Sequence, residues 1–160
     1  MRRDEPQPAF LIDRCLTVDL ESALRGLGYE ANTLRTLFTE QTAQKMHDAV
    51  WLEYAQANGY VCLTKNQLHR ESDERVLKAL EHRETRCFCL MHRKLTIAGQ
   101  VECFMVNAAR IVQRSRKKGP YLYGVYMWPK PHVALLWPKT RRSAEAGPLT
   151  LGPPLARPLR

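Results

Sequence analysis

A chain of 160 residues with 44% hydrophobic content can bury one core, and its length argues for a single domain with tails. The formal net charge is +9, of which the segment after Trp137 supplies four through Lys139, Arg141, Arg142, Arg157 and Arg160 against Glu145, leaving a mildly basic body at +5. No run nears the roughly 20 apolar residues of a bilayer span, and MRRDEPQPAF lacks the apolar region of a signal peptide. Membrane and secretory classes are therefore set aside, and a soluble, cytoplasmic protein is expected.

The first eight residues and the proline-rich stretch PKTRRSAEAGPLTLGPPLARPLR show no apolar period, which predicts disordered tails over 1–8 and 138–160 around a domain spanning 9–137. Phe10-Leu11-Ile12 predicts a short strand closed by Asp13. Leu16, Leu20, Ala23, Leu24 and Leu27 then fall at helical spacing until Gly26 and Gly28 stop the helix. Residues 29–34 alternate weakly. A second helix carries Val50, Trp51, Tyr54 and Ala55 and stops at Asn58-Gly59, before a strand over 60–63.

A third helix is expected from Ser72, with Asp73 and Glu74 in its first turn, where the dipole favours acids, and with Val76, Leu77 and Leu80 buried. A strand over 87–91 follows. Thr96 caps the clearest helix, whose stripe runs Ile97, Val101, Phe104, Met105, Ala108, Ile111 and Val112. Gly119-Pro120 ends that segment, and 121–127 is the last strand. Strands alternating with single helices predict an α/β fold with a mostly parallel sheet covered by helices on both faces.

Cys15, Cys62, Cys87, Cys89 and Cys103 form an odd set without a CxxC pair, which fits neither a disulfide framework nor a zinc site. They are read as reduced and mostly core, with Cys87 and Cys89 on one strand face.

Ligands of such sheets bind beyond the carboxyl ends of the strands. Asp13 follows one strand and Thr64-Lys65-Asn66 another, which places both on that edge. Asp48 joins them if its helix begins there, whereas a start near Thr42 turns it to the polar side. Carboxylates gathered without histidine or cysteine at ligand spacing suit Mg²⁺ or Mn²⁺, which can activate water for attack on a phosphodiester. Plainer readings stand beside this one: Asp13 as a cap or turn residue, Asp48 as an ordinary N-cap, Asn66 as a turn residue.

FLIDRCL, a helix ending LRGLGYE, and HDAVWLEYAQANGYVCLTKN together resemble the PIN-domain nucleases, and more closely the PIN-like VapC-type toxins of bacterial toxin–antitoxin pairs. The likeness continues through ERVLKAL, RCFCLM, the helix from Thr96 and YLYGVY, over nearly all of residues 9–127. The order and spacing of the segments carry it rather than any single motif. The resemblance implies a single-domain, three-layer PIN-like fold and a divalent-metal-dependent endoribonuclease that hydrolyses RNA with metal-activated water. Its implied partners are RNA and a cognate antitoxin protein, with a homodimer left open. Asp13, Asp48 and Asn66 become the implied catalytic and Mg²⁺- or Mn²⁺-binding set, and Thr64, Lys65 and Arg70 the substrate contacts.

Two positions depart from the pattern. Cys15 stands where relatives often carry an acidic or amide residue, and Asn66 stands where the Thr-x-Asp turn carries aspartate. Fewer carboxylates weaken an all-oxygen site, which gives the alternative: a catalytically degenerate PIN-like domain that binds RNA or a partner protein without cleavage. Glu21 and Glu40 are the nearest further carboxylates, and Glu21, one position past Leu20 of the buried stripe, is expected in solvent.

Arg110, Arg114, Arg116, Lys117 and Lys118 crowd the end of the long helix. There they suit its dipole or, with Lys65, His69 and Arg70, form a track for an RNA backbone. A small-molecule α/β enzyme is disfavoured because neither GxGxxG nor GxxxxGK[ST] follows any strand.

Overall fold

The computed structural model describes residues 6–91 and 95–139, so residues 1–5 and 140–160 of the expected tails lie outside the described residues. Strand β1 (Ala9–Ile12) leads to helix α1 (Val18–Gly26), strand β2 (Glu30–Thr33) and two short helices, α2 (Leu34–Leu37) and α3 (Glu40–Lys45). Helix α4 (Asp48–Asn58), strand β3 (Tyr60–Thr64), a 3-10 turn (Leu68–Arg70), helix α5 (Glu74–Leu80) and strand β4 (Arg86–Leu90) follow. Helix α6 (Ile97–Ser115) and strands β5 (Tyr121–Tyr126) and β6 (His132–Trp137) complete the order.

The six strands lie side by side as β2-β1-β3-β4-β5-β6. The first five are mutually parallel and β6 pairs antiparallel with β5. Side chains alternate across a strand, and each central strand divides its apolar residues accordingly. Phe10, Ile12, Val61, Leu63, Phe88 and Leu90 join one core with Leu20 and Leu24 of α1 and Phe104 and Ile111 of α6. Leu11, Cys62, Cys87 and Cys89 join the other with Trp51 and Leu52 of α4 and Val76 and Leu80 of α5. Both faces are thus covered by helices, in three layers. Phe10, Tyr29 and Phe104 meet edge to face with ring centroids 5.5 to 6.3 Å apart, a geometry favoured by the ring quadrupole. All five cysteines are free, and four are buried.

Threonine caps set four helix starts: Thr17 accepts from the Asp19 N–H, Thr33 from the Thr36 N–H, Thr39 from the Thr42 N–H and Thr96 from the Gly99 N–H. Asp73 rather than Ser72 caps α5, accepting from the Arg75 N–H. Gly59, at φ 73°, ends α4 in the left-handed region that glycine adopts without penalty. The stripe of α6 is narrower than its periodicity suggests, since Ile97 and Met105 are 56% and 44% exposed. Val50 of α4 also faces out, and Leu52 takes the buried place. Strand β6, with one buried residue, has too little contrast between its faces to be read from alternation. Among the described residues, no helix is long and apolar enough to cross a membrane.

The topology divides the expected cationic track. Helix α6 runs back against the parallel strands, so its end meets the strand starts: Arg86, first residue of β4, donates through Nη1 to the Ser115 carbonyl at 3.2 Å. Arg116, Lys117 and Lys118 therefore lie on the edge opposite Asp13, away from Lys65 and Arg70, which follow the carboxyl end of β3.

Candidate active site at the carboxyl edge of the sheet

Asp13 continues the β1–β3 ladder by one step, its N–H donating to the Leu63 carbonyl at 2.9 Å. That places its side chain at the sheet edge, where it is only 1% exposed. Every donor reaches the same oxygen. Oδ2 accepts from Thr64 Oγ1 at 2.8 Å, from Cys15 Sγ at 3.2 Å and from Asn66 Nδ2 at 3.4 Å. Oδ1 is buried and without a hydrogen-bond partner. Burial pushes the pKa of Asp13 up, the Thr64 and Cys15 hydrogen bonds pull it back, the charge of Asp48 raises it and that of Arg14 lowers it.

Cys15 belongs to this group rather than interrupting it. Burial, reinforced by the charge of Asp13, pushes its thiol up to about 12. It remains protonated at neutral pH and serves as a donor to Asp13 rather than a thiolate ligand. The Lys65 N–H donates to its sulfur at 3.2 Å, and the Asn66 N–H donates to Thr64 Oγ1 at 3.0 Å. The turn after β3 is thereby fastened to the turn after β1.

Asp48 opens α4, so its helix does begin where the carboxylate can face inward. The cap is His47, whose Nδ1 accepts from the Ala49 N–H at 3.0 Å. That hydrogen bond assigns the proton to Nε2, which donates to Asp73 at 2.6 Å and holds the Asp73 carboxyl below its ordinary range. Trp51 Nε1 donates to Asp48 Oδ1 at 2.8 Å, one helical turn on. Arg14 Nη2 stands 4.0 Å from the same oxygen, while its Nη1 donates to the Met46 carbonyl at 2.8 Å. Arg14 and Trp51 are the two site residues that sequence reasoning missed. The only sequence signals were that Arg14 adjoins Asp13 and that Trp51 lies three positions after Asp48.

Asp13, Cys15, Thr64 and Asn66 thus form one hydrogen-bonded group, and Asp48 acts on it through its field and through Arg14. Among the described residues no three carboxylate, imidazole or thiol groups gather as a metal-ligand cluster. Two carboxylates and an amide, with the buried Oδ1 of Asp13 lacking any partner, nevertheless fit a small hard cation of the magnesium type. Such ions are bound through one or two carboxylates and otherwise keep their waters.

The further carboxylates lie elsewhere. Glu21 is buried rather than solvated: its Oε2 accepts from the Thr33 N–H at 2.6 Å and from Thr36 Oγ1 at 2.7 Å, fastening α1 to the end of β2. Hydrogen bonds to a charged acceptor are worth about 1.5–3 kcal/mol, so Glu21→Ala is expected to lower stability by about 2 kcal/mol in urea unfolding and leave Mn²⁺ affinity unchanged. Glu40 is exposed at the start of α3, 4.0 Å from Arg35. Lys65 is half-buried and Arg70 exposed. Between them on the 3-10 turn, His69 has a buried, unpartnered Nδ1, and burial, with the charges of Arg70 and Lys139, pushes its pKa down.

A relative from Mycobacterium tuberculosis strain H37Rv, named "Putative ribonuclease VapC45", is 25% identical over 119 residues, 73% of this chain and 85% of the relative. No solved structure matches the chain. The model of the family described as "PIN like domain" matches residues 8–92, just over half of the chain, from the start of β1 past the end of β4. That span contains Asp13, Asp48, Asn66 and the strands that position them, and by it the chain belongs to the PIN-like domain family.

Proposed function

We propose that the chain is a divalent-metal-dependent endoribonuclease, the toxin of a toxin–antitoxin pair, working in the cytoplasm under the restraint of a cognate antitoxin. In this reading residues 9–137 are the working unit. The observation that carries it is the carboxylate of Asp13, buried at the carboxyl edge of a PIN-like sheet with one oxygen left bare. A charged group in that position is costly unless a cation meets it. Asp13, Asp48 and Asn66 would hold Mg²⁺ or Mn²⁺, and an ion in such a site activates water and offsets charge on a phosphodiester.

The chain's own residues do the rest. Thr64, Cys15 and the Asn66 amide fix the orientation of Asp13 through Oδ2. Trp51 and Arg14 hold Asp48. Lys65 and Arg70, on the segment following Thr64, present positive charge to the phosphates on either side of the cut. The relative's name as a ribonuclease supports the reading at the level of reaction class.

Cleavage of RNA by the purified chain with Mn²⁺ or Mg²⁺, abolished by EDTA, is the expected result. A second reading has its own support: Arg14 beside Asp48 and the Asn66 amide beside Asp13 already give each carboxylate a donor within the fold. A catalytically silent domain that binds RNA or a partner protein follows if titration calorimetry finds no Mn²⁺ binding and no cleavage accompanies RNA binding.

A further inference from the structure

Where the strands begin, the turn before β4 and the loop between α6 and β5 enclose a cleft of about 400 Å³. Arg83 and Arg86 contribute from the first segment, and Arg116, Lys117 and Lys118 from the second. The segments press together at Gly119, where a Cβ would stand 2.3 Å from the Thr85 carbonyl oxygen and 2.7 Å from that of Arg83. Glycine is required for that approach, because the obstructing atoms are backbone. Five cationic side chains thus face one acid, Glu84, which is itself 3.8 Å from Arg83.

Helices α4 and α6 are among those that end beside this cleft, and their carbonyl ends would repel an anion. Arg86 answers both, donating through Nη1 to the Ser115 carbonyl of α6 and through Nη2 to the Gly59 carbonyl that caps α4, at 3.2 and 2.7 Å. Its Nε remains buried and unpartnered. Among the described residues, no apolar or aromatic side chain lines the cleft. The centre of a protein–protein interface is typically enriched in aromatic residues and depleted of charge, and single-stranded nucleic-acid bases are typically held on stacking faces. A run of phosphates needs only cations.

We propose that this cleft is a second, sequence-independent binding site for the RNA phosphate backbone, on the sheet edge opposite Asp13; the proposal rests on the reading of the chain as a ribonuclease. Strand β4 separates the two edges by five residues, about 17 Å at the usual strand rise. RNA held in the cleft is therefore a flanking segment, remote from the bond that is cut. The cleft raises affinity for long RNA and leaves the bond-breaking step alone.

The test uses the full-length chain and labelled oligouridylate in EDTA, across a salt series. Arg83, Lys117 and Lys118 are exposed, and the triple variant Arg83→Gln, Lys117→Gln, Lys118→Gln is expected to bind roughly tenfold more weakly. Its plot of log affinity against log salt should flatten by about 2, at ~0.7 per lost phosphate contact. With Mn²⁺ present, KM for long RNA should rise while kcat holds. If the triple variant does not fold, Lys117→Gln and Lys118→Gln alone, each expected to flatten the slope by about 0.7, decide the matter. Unchanged affinity and slope, with the unaltered chain still binding RNA, overturn the cleft and leave the ribonuclease reading standing. An unaltered chain that binds no RNA overturns both. Polyglutamate competing as well as oligouridylate at equal charge reassigns the cleft to acidic peptides and overturns its assignment to RNA.

Discussion

Asp13→Asn is expected to make the metal-free chain more stable while reducing RNA cleavage by a factor of about 100 or more, since even outer-shell changes at metal sites cost about 10–100-fold. The amide oxygen can keep the Thr64, Cys15 and Asn66 donors that now converge on Oδ2, so the shape of the site survives and only the charge is lost. The sign follows from linkage. Burial raises the folded pKa of Asp13 above its ordinary 3.8, so the folded chain binds this proton more tightly than the unfolded one. The associated stability is fully present below the unfolded pKa and is lost as pH rises through the folded value. At neutral pH the bare carboxylate is therefore a burden that asparagine removes. In EDTA the variant should melt about 3 °C higher, the scale of roughly 1 kcal/mol in a chain of this size. Adding Mn²⁺ should raise the melting temperature of the unaltered chain and not that of the variant. Equal Mn²⁺ shifts in the two proteins would sink the assignment of Asp13 as a ligand.

The second large effect has the opposite sign. Asn66→Asp puts a carboxylate oxygen where Asn66 Nδ2 now stands 3.4 Å from Asp13 Oδ2. A carboxylate at the exposed position 66 would repel the buried one of Asp13 at that separation, so without metal the variant should unfold at lower urea than the unaltered chain. With Mn²⁺ the order should reverse, because ligand charge sets affinity in oxygen sites, and binding should tighten by about tenfold or more. Cleavage should rise in step. Calorimetric titration with Mn²⁺, paired with urea melts in EDTA and in Mn²⁺, checks both halves, and an affinity no higher than that of the unaltered chain refutes the idea that Asn66 limits the site.

Much of the fold could be read from apolar periodicity, because a buried strand and an amphipathic helix write their periods directly into the chain. Phe10 to Ile12, the Thr96 cap and the stop at Asn58-Gly59 were all legible for that reason. The break between α3 and α4 was not, since its cap is a histidine ring and histidine is not among the usual capping residues. Strand β6 was missed because its burial comes from β5 beside it and not from its own alternation.

The site divides in the same way. Asp13 and Asn66 follow strands and could be placed on an edge from the sequence. Arg14 acts through a carbonyl 32 residues away, and Glu21 is buried by a backbone N–H 12 residues on. No local pattern encodes either contact. The cationic end of α6 was visible as composition, yet only the direction of α6 against the strands shows that it lies far from Asp13.

The one-sided hydrogen bonding of Asp13 also bears on which ion the edge would accept. With Oδ2 committed to three donors and Oδ1 bare, this carboxylate can offer one oxygen to a cation and not two. Calcium takes six to eight oxygen ligands and often bidentate carboxylates among them, whereas magnesium keeps octahedral geometry and several of its waters. In the proposed site the hydrogen bonds that orient Asp13 would thereby act as a size filter, favouring the smaller ion before any substrate arrives.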